Sequence, residues 1–341
     1  CWNKYMRILA GRRKFEPGEE RFIEAILRWA EATRSGDRKE LDLDSSLMSK
    51  WGIVAADRKS CLRDNCPYHD RCFRLKMLKS LEKADLIITN HALLLSDMLV
   101  ENSILPCYSY LIVDEAHTFE RLAFDHLSLR FSFPEISETM QLLHVREKGY
   151  ERGYLQLLKG KYPHLQALCA ETAAILGRGL VILKDLFAAL SRGTVAQDYN
   201  YARVIQWQDH DTEWLNQAVD LHREWQESTK LLYAKLTAIK EEIQEPEENN
   251  ELEMLMQTIS EYAGTAAVIM EENLEQEDKI TWLEYEKGRA VAMASSSLDA
   301  GSILNERLYH KLESLVMVSA TLAIEERFDY FLTRTGLTPL M

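Results

Sequence analysis

Apolar residues recur at helical spacing through most of the chain and gather into short continuous runs at only a few places. Residues 1–9 read as a helix with Tyr5, Ile8 and Leu9 on one face, broken by Pro17-Gly18. Residues 19–33 form a second helix with Phe22, Ile26 and Trp29 in register, stopped by Ser35-Gly36-Asp37. Residues 41–48 suggest a loop or a helical turn, and 73–83 a helix with Leu75, Leu78 and Leu81 inward. Long amphipathic runs follow at about 135–150, 164–192, 212–244 and 251–275. In the third, Leu215, Val219, His222, Leu232 and Leu236 share a stripe to which Trp214 and Trp225 add bulk. The polar stretch Pro246 to Asn250 turns the chain back as an antiparallel helix. No strong strand signal interrupts residues 128–278. Strands are expected instead at 84–90, 108–113, 280–286, 290–298 and 315–318, as parts of one sheet.

The run from Tyr108 to Val113 is continuous enough to be buried on both faces, as in a parallel sheet. It ends in Asp114-Glu115-Ala116-His117. Ligands of open α/β sheets bind at the carboxyl ends of such strands. Adjacent acids there suit Mg²⁺ and the water that attacks a γ-phosphate. The same letters also describe a strand followed by an acidic helix start. No G-x-x-x-x-G-K-[ST] occurs in the sequence, so no phosphate-cradling loop is encoded in it.

Six cysteines change the picture further. Cys61-x₄-Cys66-x₅-Cys72 forms a group, with Cys1 sixty residues earlier. Disulfides do not suit a chain without a secretory signal. Zinc, with His69 as a further donor, competes with an iron–sulfur cluster, whose cube takes four thiolates from different directions. Cys107 and Cys169 stand singly in apolar settings and are expected as packed core thiols.

The 341 residues, 46% hydrophobic and 28% charged, suit two or three globular domains. No apolar run is long enough for a membrane span. The chain begins with Cys and is expected to be an internal piece of a longer protein. A net charge of −13 argues against nucleic acid, yet the charge is uneven. Residues 1–15 carry Lys4, Arg7, Arg12, Arg13 and Lys14 with no acid. Residues 58–83 carry eight Lys/Arg against Asp64, Asp70 and Glu82, while the excess acid lies between Glu241 and Asp278. A local basic surface can track a phosphate backbone, although most charge runs are solvated helix faces.

The Asp-Glu-Ala-His strand resembles motif II of the DEAH-box helicases. Ala84 to Leu94, Val318-Ser319-Ala320-Thr321-Leu322 and the four spaced cysteines narrow the resemblance to the DinG/XPD family of iron–sulfur superfamily 2 DNA helicases, in its DinG-like branch. The resemblance implies an α/β fold. Part of a RecA-like P-loop NTPase motor domain (84–127 and 279–341) would accompany an iron–sulfur domain (1–83) and an all-helical Arch insertion (128–278). It implies a [4Fe–4S] cluster on Cys1, Cys61, Cys66 and Cys72, with ATP and Mg²⁺ in the full-length parent. Asp114 would hold the metal through water and Glu115 would polarise the attacking water. His117 with Ser319, Ala320 and Thr321 would couple hydrolysis to movement. Arg58, Lys59, Arg63, Arg71, Arg74, Lys76, Asn90 and His91 would line the DNA track. The parent would be a monomeric 5′→3′ helicase on single-stranded or forked DNA, in repair or replication, in the bacterial cytoplasm at the nucleoid. A different class also fits the missing loop: a non-catalytic module that binds DNA and a metal, zinc or iron–sulfur.

Overall fold

The computed structural model describes residues 1–9, 19–56, 61, 66–100, 104–147, 150–193, 199–206, 209–210, 212–323 and 327–337. The chain divides into two units, Cys1–Ile88 with Ile104–Pro106, and Thr89–Ser103 with Cys107–Met341.

The first unit holds α1 (Trp2–Leu9), α2 (Glu20–Ala32), the short α3 (Ser45–Met48) and α4 (Phe73–Leu81). Its core is Ile8, Phe22, Ile23, Ile26 and Val54, with Tyr5, Trp29, Trp51 and other half-buried side chains around it. Asp44 caps α3 by accepting from Leu47 N at 2.9 Å, which makes a helical turn of the 41–48 stretch. No residue of α4 is fully buried, so Leu75, Leu78 and Leu81 are only partly covered.

The second unit opens with α5 (His91–Leu99), β1 (Tyr110–Val113) and α6 (Phe119–Leu127). It continues through β2 (Leu129–Ser132), α7 (Phe133–Leu143), a hairpin of β3 (Val145–Glu147) and β4 (Tyr150–Arg152), and α8 (Tyr154–Lys161). The long α9 (Gln166–Ser191), β5 (Tyr201–Val204), α10 (Glu213–Glu242) and α11 (Pro246–Ala267) come next. Then β6 (Lys279–Glu286), β7 (Arg289–Ser297), α12 (Ala300–Arg307), β8 (Ser314–Met317) and α13 (Asp329–Thr335) complete the order. The chain is therefore α/β, mostly helical, with one small parallel pair: β1 lies beside β8, Tyr110 opposite Ser314 and Val113 opposite Met317.

Five expectations need correction. Residues 84–90 form no strand among the described residues, and Leu86 and Ile88 are 76% and 89% exposed. An apolar run becomes a strand only where a neighbour takes its backbone hydrogen bonds, and among the described residues no strand pairs with this one. β1 is buried on one face only. Leu111 and Val113 pack with Leu315 and Met317 against α5, α6 and α12, whereas Tyr110 and Ile112 are each 70% exposed.

The stretch 128–278 is not all helical, because β2 to β5 lie in it. β2 and β5 are four residues each, too short to carry a visible alternation, and both are edges of a sheet ordered β2-β7-β6-β5. β6 and β7 do form where expected, but they pair antiparallel with each other and with those edges, not with β1 and β8. Their hairpin turns on Lys287 and Gly288, both at positive φ (49° and 73°), as a tight two-residue connection requires. Finally, Cys107 is exposed, while Cys169 is a buried core thiol. A short apolar neighbourhood in sequence does not by itself bring packing from elsewhere in the chain.

The helical body around this sheet has a continuous core from Phe131 to Met293. Trp225 is fully buried in it, and Trp214 packs at its margin, so both tryptophans are core side chains. Pro246 opens α11, where the missing N–H costs nothing.

Candidate nucleotide-hydrolysis edge and cysteine group

β1 ends at Val113 and delivers Asp114 and Glu115 to the carboxyl edge of the parallel pair. Val318 N donates to Val113 O at 2.8 Å and Ala116 N donates to Val318 O at 3.0 Å, carrying the pairing past the end of β8. Ser319 is thereby seated beside the turn. His117 Nδ1 stands 2.7 Å from Ser319 Oγ and 3.4 Å from Glu115 Oε2. Thr321 N donates to the same Ser319 oxygen at 3.4 Å, while Ala320 is exposed. Two stretches 202 residues apart are thus joined through one imidazole and one hydroxyl.

The turn itself is unusual. Glu115 has φ 48° and ψ 42°, the left-handed region, which a side chain other than glycine's rarely adopts. Asp114 Oδ1 accepts from Glu115 N at 2.9 Å, and Thr118 donates to Glu115 O through both its N–H and its hydroxyl, each at 3.0 Å. Ala116 is fully buried against the α5–α6 core, so a larger residue would not fit there. The carboxylates of Asp114 and Glu115 and the ring of His117 are exposed. Acids in this position, hydrated and uncovered, can take a divalent cation through water and orient a second water.

Asn90 and His91 lie at the start of α5. Asn90 Oδ1 accepts from Leu93 N at 2.9 Å and so caps the helix, and the His91 ring meets Phe119 edge-on at 5.3 Å. The structure therefore links His91 to α6, directly after the Asp114–Thr118 turn.

In the first unit an aromatic clasp brings the start of the chain onto the cysteine stretch. Trp2 stacks on Phe73 with centroids 5.7 Å apart and meets Tyr5 edge-on at 5.4 Å. The Arg71 guanidinium lies 4.4 Å over the Trp2 ring. The amino group of Cys1 donates to Val54 O at 2.6 Å. Cys1 and Cys72 therefore sit at the ends of the segments that the clasp holds together, Cys72 being the N-cap residue of α4.

Cys1, Cys61, Cys66 and Cys72 are all half-buried free thiols. Burial pushes the Cys66 thiol up, a backbone N–H at Tyr68 opposes this, and Cys72 and Cys61 are near enough to push it up further. Burial, aided by Lys4, lowers the pKa of the Cys1 ammonium, and Cys72 and Cys61 oppose this. Among the described residues, no three His, Cys, Asp or Glu side chains stand close enough to hold one metal ion. His69 Nδ1 lies 3.6 Å from Asp70 Oδ1. Arg71, Arg74 and Lys76 are exposed. Arg58, Lys59 and Arg63 lie outside the described residues, as do Arg12, Arg13 and Lys14.

Sequence reasoning did not single out Thr118 or the Trp2–Phe73 stack. A hydroxyl residue three positions after an acid was the available signal for the first, since Ser and Thr close such turns.

An α/β chain with acids at the carboxyl edge of parallel strands, joined to a Ser-Ala-Thr strand end, is the class that the fold defines. Its relatives place it more narrowly: the chain is DinG-like. It is 25% identical to the 3′-5′ exonuclease DinG of Bacillus subtilis, over 92% of this chain and 35% of that protein. It is 24% identical to the ATP-dependent DNA helicase DinG of Photobacterium profundum, over 92% of this chain and 47% of that protein. A 98-residue stretch is 37% identical to the ATP-dependent helicase DinG of Mycobacterium tuberculosis, covering 28% of this chain and 15% of that protein. The chain thus spans between a third and a half of the length of the two relatives it matches from end to end. No family model matches the chain. Among the described residues no helix is long and apolar enough to cross a membrane.

Proposed function

We propose that this chain is part of an ATP-dependent DNA helicase, containing its motifs II and III, its helical insertion and its iron–sulfur domain. The observation that carries the reading is the contact of His117 with Ser319, at adjacent carboxyl ends of β1 and β8. It is what a motor needs if loss of a phosphate at Asp114 and Glu115 is to be felt elsewhere. Asp114 would hold Mg²⁺, which would supply charge stabilisation at the phosphates, Glu115 would orient the attacking water, and His117 with Ser319 to Thr321 would transmit the result. The exposed face of the parallel pair, with Tyr110, Ile112, Val316 and Val318 bare, supports a larger RecA-like domain, because parallel sheets are covered on both faces.

The four thiols fit a [4Fe–4S] cluster. All four are half-buried thiols, the donor type such a cluster takes, and Cys61 and Cys72 are near enough to Cys66 and to the Cys1 ammonium to act on both electrostatically. Such a cluster would cross-link the segments bearing Cys1, Cys61, Cys66 and Cys72. The exposed Arg71, Arg74 and Lys76 would track a single strand or a fork. The sequence resemblance implies that the parent would move 5′→3′, work as a monomer in DNA repair or replication, and reside in the bacterial cytoplasm.

Turnover of ATP tests the reading. The 341-residue chain should show none, because a nucleotide is not anchored without phosphate-loop amides and lysine. A longer chain that carries such a loop should hydrolyse ATP on single-stranded DNA and lose this with Glu115→Gln. DNA-dependent turnover that survives Glu115→Gln in the longer chain would sink it.

A further inference from the structure

We propose that Thr118 is the positioning residue of the hydrolytic carboxylate, holding Glu115 in the left-handed conformation that aims its side chain along the strand edge. The inference rests on the reading of Glu115 given above and goes beyond it.

Glu115 is one of two residues other than glycine at positive φ among those described, and the other, Lys287, is explained by a hairpin turn. A left-handed glutamate costs free energy and persists only where its surroundings over-determine it. Here the surroundings are countable. The Asp114 carboxylate holds the Glu115 amide, and the Ala116 amide is tied to Val318. The Ala116 amide and the Glu115 carbonyl belong to one planar peptide, so the bond to Val318 holds one edge of that plane and leaves the carbonyl edge to be held from the other side. Among the described residues the carbonyl edge accepts from Thr118, through the amide at 3.0 Å and the side-chain hydroxyl at 3.0 Å. The amide bond belongs to any tight turn before a helix, whereas the hydroxyl bond depends on the identity of the residue.

With the carbonyl held, the exposed carboxylate stands with Oε2 3.4 Å from His117 Nδ1. A Glu115 that relaxed to negative φ would turn its Cα–Cβ bond away from the strand end. The carboxylate would then leave both His117 and the position beside Asp114. Thr118 touches neither nucleotide nor water in this scheme. It acts through the backbone of the residue that does.

Thr118→Val keeps the shape and removes the hydroxyl, and Thr118→Ser restores it. In the longer protein bearing a phosphate loop, Thr118→Val should lower kcat for DNA-stimulated ATP hydrolysis about five- to tenfold with KM for ATP unchanged, the loss of one hydrogen bond that matters in the transition state. Thr118→Ser should keep most of the rate. In the 341-residue chain, amide exchange at Ala116 to Thr118 should quicken by about fivefold in the Val variant and not in the Ser variant. Wild-type kcat in Thr118→Val, equal losses in both variants, or unchanged exchange in Thr118→Val each overturn the role. Glu115→Gln separates the two levels. If it keeps full turnover, the hydrolytic reading falls and the Thr118 role with it. If it abolishes turnover while Thr118→Val is fully active, the Thr118 role falls alone.

Discussion

The helical body between Phe131 and Met293 and the cysteine-bearing unit are built from similar fractions of apolar residues, but they are held in different ways. In the body, α9 and α10 run side by side over the antiparallel sheet, and Trp225, Leu183, Leu232, Leu236 and Leu283 are wholly enclosed. Close approach is paid for by small side chains, as where Gly179 faces Ser228. The cysteine unit encloses only Ile8, Phe22, Ile23, Ile26 and Val54 among its described residues. Its aromatic side chains, Trp2, Trp29, Trp51 and Phe73, are half-exposed and meet in pairs. Each fully buried large side chain contributes roughly 1.5–3 kcal/mol, so the first region can stand on burial and the second is short of it. Small units with such cores are commonly stapled by a metal or a cross-link.

Removing one thiol should give the largest contrast. Protein purified without oxygen should be brown, with about four irons per chain, the complement of a four-thiolate cube. Cys66→Ser should lose the colour, and amide protection across α4 and the Cys1–Trp2 clasp should collapse while α9 and α10 keep theirs. A colourless wild-type protein with one zinc, or full protection in the variant, would erase the distinction between the regions.

The reverse perturbation comes next. Trp225→Ala should lower the stability of the helical body by about 3–5 kcal/mol in denaturant unfolding and leave iron content unchanged. An effect below about 1 kcal/mol would mean that the body does not depend on this packing.

Acid should distinguish the regions more gently. His222 is fully enclosed on α10, and burial, aided by Arg223 and opposed by Glu271, lowers its pKa from the ordinary value of 6.5. The unfolded chain therefore binds a proton that the folded body does not. Stability contributed by neutral His222 is intact above about pH 6.5 and is lost as pH falls through and below that value, at most about 1.4 kcal/mol per pH unit. His222→Gln should flatten that slope in pH-dependent unfolding of the body. An unaltered slope would remove His222 from the account.

The smallest effect concerns DNA. Lys235 and Lys240 on the body are paired with Glu171 at 2.8 Å and Glu253 at 3.1 Å. Arg71 and Arg74 form no ion pair with a described residue, and Arg71 only stacks on Trp2. Single-strand binding should be weak, with a log–log salt slope of roughly −0.7 per phosphate contacted. Reversing the charge of Arg71 and Arg74 should weaken binding and flatten the slope, and the same change at Lys235 and Lys240 should do much less. Equal effects would place the track elsewhere.

Much of this was legible in the sequence, because the signals were local. Helical periodicity located α2, α9 and α10 to within a few residues, since a stripe every three or four positions needs no partner to be recognised, whereas α11 begins at Pro246 and takes in the polar stretch 246–250 expected as the break before it. The run before Asp114 and the run before Ser319 marked β1 and β8, and the acids and hydroxyls at their ends marked the candidate site.

What only the tertiary structure decided was non-local. Whether residues 84–90 become a strand depends on a neighbour that the segment itself does not encode. Whether Leu129–Ser132 and Tyr201–Val204 become strands depends on β6 and β7, many residues downstream, because four residues carry too little alternation to declare themselves. The exposure of Cys107 and of one face of β1 is set by what packs there, not by the letters on either side. The left-handed Glu115 belongs to the same class. Its backbone prefers negative φ, and it is overruled by local bonds from Asp114 and Thr118 together with the bond of Ala116 to Val318, which exists only once β1 and β8 lie side by side.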